Sequence, residues 1–150
     1  VYRELMKYIE NGGNYVVQYN TSSNLGPMKA EMAPYPINIT RNRITLEDAK
    51  PTFAIPTHEI FNFPNKITEA DFNNWVQERS IYNAVSDSNK VEFPLVFNDP
   101  NETNDKGNIA VIKYGKGRFI YTGLVFFREL PAAVPGAYRL FANLLSNPIR

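Results

Sequence analysis

The chain contains no cysteine. That excludes disulfides, a thiolate nucleophile and thiolate metal sites, and leaves the compartment open. Histidine occurs once, at His58. One imidazole without cysteine or a spaced set of carboxylates is a poor ligand set, so no metal and no cofactor are expected. No apolar run reaches the ~18 residues of a membrane-spanning helix, so no membrane partner is expected. Charge of one sign is nowhere concentrated: 16 Lys and Arg against 15 Asp and Glu leave a formal charge of +1. That balance gives no electrostatic footprint for nucleic acid. A G-x-S-x-G elbow is missing, so Ser22 and Ser23 in QYNTSSNLG read as a serine-rich loop, not a nucleophile. The glycines of YGKGRF stand between two β runs, not before a helix, which favours a hairpin turn over a phosphate cradle.

What is present reads as one mixed α/β domain. The 150 residues are 43% hydrophobic and 21% charged, an ordinary globular composition at single-domain length. Leu5, Met6 and Ile9 recur at helical spacing, and Gly12-Gly13 supplies the stop. NYVVQYN (14–20) is a β run, followed by a polar loop over 21–36 with Gly26, Pro27, Pro34 and Pro36. Short strands are expected near 37–40, 43–46 and 52–55. ITEADFNNWVQER reads as a helix capped by Thr68, with Asp71 in its first turn and Phe72, Trp75 and Val76 on its apolar face. KVEFPLVFND is extended but interrupted by Pro94, which suggests an edge position. GNIAVIKYGKGRFIYTGL is the clearest hairpin. The last helix starts at Pro135 and buries Leu140, Phe141, Leu144 and Leu145.

Two clusters invite a chemical reading. His58 has Glu59 beside it, but adjacent residues on an extended segment point to opposite sides, so a turn or surface histidine is expected. WVQERSIY (75–82) gathers the only Trp with Gln77, Glu78, Arg79 and Tyr82. Trp, Arg and Tyr are enriched at binding hot spots, yet a Trp beside an Arg–carboxylate pair also fixes a helix on a sheet. The expectation is a buried Trp75 and an Arg79 paired with Asp71 or Glu78, leaving Gln77 and Tyr82 to face a ligand or a neighbouring domain.

The stretches FPNKITEADFNNWVQERSIY, GNIAVIKYGKGRFIYTGLVFFRELPAAVPGAYRLFANLLSNP and LMKYIENGGNYVVQYNTS cover nearly the whole chain. Together they resemble the C-terminal region of large PIG-L/LmbE-type deacetylase-like proteins of Bacteroidetes type. The resemblance implies a flavodoxin-like, class I glutamine-amidotransferase-like layered sheet with helices, possibly incomplete at its N-terminus. In that family the zinc-dependent deacetylase is the N-terminal part of the same polypeptide, and it would be this domain's partner. An active amidotransferase places its catalytic cysteine where Tyr19, Asn20 or Thr21 stands here. Without a thiol that reaction is unsupported, because fold does not carry function with it.

The resulting expectation is a non-catalytic accessory domain of a carbohydrate- or amide-directed deacetylase. Its candidate ligand-binding residues are Asn20, Thr21, Ser22, His58, Gln77 and Tyr82, and its structural cluster is Asp71, Trp75, Glu78 and Arg79. The alternative is a hydrolase acting near the 20–36 loop and His58. The chain begins at Val1 on what reads as the middle of a domain, so it is expected to be a fragment whose address, exported if a signal peptide precedes it, lies upstream. Residues 14–20 are expected to form an inner strand with Asn20 and Thr21 at a pocket rim. Stripped of an upstream neighbour, that strand would be covered in a homodimer or by its own loops.

Overall fold

The computed structural model describes residues 1–21, 32–97, 99–102 and 106–148. In chain order the elements are α1 (Tyr2–Glu10), β1 (Asn14–Gln18), β2 (Asn38–Ile39), β3 (Arg43–Ile44), β4 (Thr52–Phe53), β5 (Ser80–Ile81), β6 (Ala84–Val85), β7 (Val91–Glu92), β8 (Leu95–Val96), β9 (Ile109–Tyr114), β10 (Gly117–Thr122), α2 (Phe126–Glu129) and α3 (Pro135–Leu145). Short 3-10 turns stand at Glu59–Phe61 and Glu69–Phe72. The class is therefore mixed α/β, as expected. Among the described residues no helix is long and apolar enough to cross a membrane.

The expected hairpin forms the spine. β9 and β10 pair antiparallel, and Tyr114 and Gly117 close a two-residue turn. Gly115 takes φ +58° there, a conformation that glycine adopts without steric penalty. Side chains alternate along both strands. Ile109, Val111 and Ile120 enter one core with Leu140 and Leu144 of α3. Ala110, Ile112, Phe119 and Tyr121 enter a second core with Met6 and Ile9 of α1. Period-2 alternation thus feeds a layer on each side of the sheet.

The main sheet runs β1-β10-β9-β7, and β2–β6, β3–β5 and β4–β8 form separate two-stranded pieces. β1 pairs parallel with β10, with Asn14 opposite Arg118 and Gln18 opposite Thr122. The helix before it ends as expected. Gly13 N–H donates to Tyr8 O and Gly12 N–H to Ile9 O, with Gly12 at φ +113°, which is the Schellman pattern. Pro94 divides the 91–96 run, sending β7 to the edge of the main sheet and β8 to β4.

Three expectations need correction. Among the described residues β1 is an edge strand of the main sheet, not an inner one. The helix proposed for 67–79 stops after one 3-10 turn at Phe72, for reasons given below. On α3, Leu145 is exposed and Asn143 buried. The apolar stripe at 3.6 spacing runs through Ala137, Leu140 and Leu144, and 145 falls beyond it. Asn143 is buried because its amide donates to Ile60 O and Asn65 O, both at 2.8 Å, and accepts from Asn65 N–H at 2.9 Å.

Candidate functional site

The carboxyl end of β1 holds a sharp turn at Tyr19. Tyr19 N–H still donates to Thr122 O at 3.1 Å, and Tyr19 itself then turns at φ +39°. A non-glycine residue in that region is uncommon and directs the chain sharply off the strand. Behind the turn lies Tyr121, fully buried on β10. Its phenol donates to Tyr82 O at 2.5 Å and receives the Asn20 backbone N–H, and burial pushes its pKa up to about 12. Asn20 Oδ1 accepts from Thr21 N–H at 2.8 Å. In front, the Tyr19 ring lies 6.2 Å from that of Tyr82 and 5.6 Å from that of Phe127. Tyr19 and Phe127 are both exposed. One buried phenol thus ties Asn20 to Tyr82 beneath an exposed aromatic surface. Ser22 lies outside the described residues.

His58 sits elsewhere. Its surroundings include Lys113 and Arg118, at the end of the sheet where Arg118 stands opposite Asn14. The whole length of β1, ~16 Å at the usual rise per residue, separates that end from Asn20. His58 is buried, not on the surface. Its Nδ1 accepts Ile60 N–H at 3.2 Å and caps the 59–61 turn. An accepting Nδ1 leaves the proton on Nε2, which faces Glu92 Oε1 at 3.6 Å. Burial lowers the His58 pKa against the opposing pull of Glu92. Glu59 turns to another partner, 3.9 Å from Arg118, as expected for neighbours that diverge.

The WVQER segment folds differently from expectation. Thr68 and Asp71 do form a capping box, with Thr68 N–H donating to Asp71 Oδ2 at 2.9 Å. Beyond Phe72 the carbonyls that would continue a helix are taken by side chains. Trp75 Nε1 donates to Asp71 O at 2.9 Å, and Arg79 Nη1 donates to Phe72 O. The freed amides go outward: Val76 N–H reaches the Glu129 carboxylate at 2.9 Å, and Gln77 N–H reaches Glu47 at 2.7 Å. Asn74 at φ +62° and Gln77 at φ +69° complete the break. Side-chain competition for backbone groups has displaced the helix.

Trp75 is buried, as expected. Arg79 does not pair with Asp71 or Glu78. Without a helix those carboxylates leave its face: Asp71 binds Arg139 at 2.7 Å, and Glu78 lies 3.3 Å from both Arg43 and Arg128. Arg79 instead donates to Ala49 O and Phe72 O. Its guanidinium packs 5.6–5.7 Å from the rings of Phe72, Trp75 and Phe97. Desolvation lowers its pKa to about 10. Gln77 is exposed and Tyr82 half-buried, so both remain open to a neighbour.

Of the sequence candidates, the structure brings Asn20, Thr21 and Tyr82 together. It places His58 at the far end of β1 and Gln77 beside Glu47. Sequence reasoning missed Tyr19 and Phe127 in this surface and the buried Tyr121 beneath it. Tyr19 had a signal as the last apolar residue of the 14–20 run, whereas nothing in the spacing marked Phe127. Among the described residues no three His, Cys, Asp or Glu side chains group as metal ligands. The chain matches no family model and no curated protein.

Proposed function

We propose that the chain is a non-catalytic, amidotransferase-like module that binds a small carbohydrate or amide at the carboxyl end of β1. In this reading its layout is a flavodoxin-like sheet, with β1 and β10 as its parallel pair, and it serves a PIG-L-type zinc-dependent deacetylase on the same polypeptide. No cofactor of its own is involved. One observation carries the reading. The backbone turns sharply at Tyr19, directly after a parallel strand, where α/β sheets bind their ligands, yet Tyr19, Asn20 and Thr21 offer no thiol. A turn retained without its nucleophile suits binding and not acyl transfer. The exposed rings of Tyr19 and Phe127 supply flat apolar faces, and the Asn20 and Thr21 side chains supply polar contacts at their edge.

Most of the 20–36 loop lies outside the described residues; the rival reading, a hydrolase near that loop, draws no support from His58, which is buried against Glu92 at the opposite end of the strand. The test is to titrate the purified chain with simple sugars and sugar amides, following tyrosine resonances by NMR while assaying for released ammonia or acetate. Saturable shifts of Tyr19 and Tyr82 without product are expected. Product release would establish the hydrolase instead, and the absence of any saturable shift would remove the binding role.

A further inference from the structure

A cavity lies beside the WVQER segment and shares no lining residue with the β1 surface. Its volume is about 430 Å³, within the ~300–1,000 Å³ range of small-molecule pockets. Phe72, Trp75 and Arg79 form its inner wall, and its rim carries Glu47, Asp48 and Glu69 against one lysine, Lys50. Acidic side chains on a rim are ordinary solvated surface, and alone they would signify nothing. The inner wall is what distinguishes this cleft.

Arg79 is only 4% exposed. Its Nε and Nη1 are committed to Ala49 O and Phe72 O. Among the described residues Nη2 has no such acceptor, and the side chain lines the cleft. A guanidinium has five donors in a rigid fork. One arm of that fork is therefore left for whatever enters, held in place by the other two and by three aromatic rings. The carboxylates of Asp48, Glu129 and Glu47 act on Arg79 through space, with no ion pair to it among the described residues. Glu129 is occupied by Val76 N–H and Glu47 accepts Gln77 N–H.

The two charge layers select the occupant. A phosphate or other bare anion would meet Arg79 but would have to pass three carboxylates. A metal ion would need converging ligands, and the described acidic groups do not converge in that way. An organic cation with an adjacent oxygen satisfies both layers. We propose that this cleft binds a small molecule carrying a protonated primary amine next to a hydroxyl or carbonyl oxygen, with the oxygen on Arg79 and the ammonium among Glu47, Asp48 and Glu69. The apolar faces of Phe72 and Trp75 line the remaining wall. Amino sugars and hydroxylated amino acids share this chemistry. The inference does not depend on the β1 surface.

Trp75 is the only tryptophan in the chain and lines this cleft, so its fluorescence reports on the cleft wall. The intact chain is titrated with glucosamine, serine, N-acetylglucosamine and inorganic phosphate. A saturable change is expected with glucosamine or serine, and the tighter of the two identifies the source. N-acetylglucosamine, which keeps the oxygens but loses the charge, should bind about tenfold more weakly. Glu69→Gln, an exposed change, should weaken the amine about two- to fivefold, the range for a screened ion pair, with an unchanged melting temperature. Equal binding of N-acetylglucosamine, a response to phosphate in place of the amines, or no response to either amine would overturn the proposal.

Discussion

Replacing Arg118 by Met tests whether one buried guanidinium joins the sheet to α3. Arg118 is the second residue of β10 and is almost fully buried. Its Nε donates to Asn14 Oδ1 at 2.8 Å, and its Nη2 faces Asn143 O at 3.0 Å, Leu144 O at 3.2 Å and Ser146 O. Those carbonyls end α3, where a cation also complements the helix dipole. Met keeps most of the stem volume, so packing changes little. Asn143 O keeps Ser146 N–H and Leu144 O keeps the Asn14 amide, but Ser146 O and Asn14 Oδ1 lose the donors named here. Two such acceptors at ~1–3 kcal/mol each, with ~0.5–1 kcal/mol of dipole interaction, sum to about 2.5–7 kcal/mol. Burial lowers the Arg118 pKa to about 10, so the wild-type guanidinium already bears a desolvation cost that Met relieves. A value near the lower end, about 3 kcal/mol, is therefore expected. For a chain of this size that lowers Tm by roughly 6–12 °C. Differential scanning calorimetry and urea unfolding give the two measures. A Met variant melting within about 2 °C of the parent would refute the reasoning.

Three further outcomes are expected. Gly136→Ala should destabilise by at least about 1–3 kcal/mol, because an added Cβ would lie 1.8 Å from the Asp71 backbone oxygen; an unchanged urea midpoint would show that α3 does not seat on that turn. His58 has a folded pKa below its ordinary 6.5, so the unfolded chain binds the proton more readily. Stability is then complete above pH 6.5 and falls as pH drops through the lowered folded value, and His58→Gln should flatten that slope in unfolding measured from pH 7.5 to 5. Finally, the Val16 and Gln18 backbone groups point away from β10 by the parallel register, on an edge without proline or charge. A homodimer through this edge should appear by light scattering with more than ~1,000 Å² buried, and Val16→Pro should dissolve it; a monomer at all concentrations would rule it out.

How far each element was legible follows from where its causes lie. The β9–β10 hairpin, the Gly12-Gly13 stop and the Pro135 start could be read because alternation, left-handed glycines and a fixed proline φ are local properties. Pro94 could likewise be read as an interruption, since it lacks a ladder donor. The 67–79 segment could not. Its helical periodicity was genuine, but Trp75 Nε1 and Arg79 Nη1 capture the carbonyls, while Glu47 and Glu129 capture the amides. Two of those four partners are about 30 and 53 residues away, beyond any local pattern.

The candidate site divides in the same way. Sequence alone determined that no thiol chemistry is available, that a β run ends at Tyr19 and Asn20, and that the chain carries one tryptophan in a polar, aromatic cluster. Each of these is a matter of which atoms exist and how neighbouring residues alternate. Only the tertiary structure decided that Tyr121 ties Asn20 to Tyr82, that His58 caps a turn against Glu92, and that Arg79 stands in a ring of aromatics with one arm open to a cleft. Those pairings join residues far apart in the chain, and the partner of a buried polar group is set by which group the packed layers bring within ~3 Å, not by its neighbours in sequence.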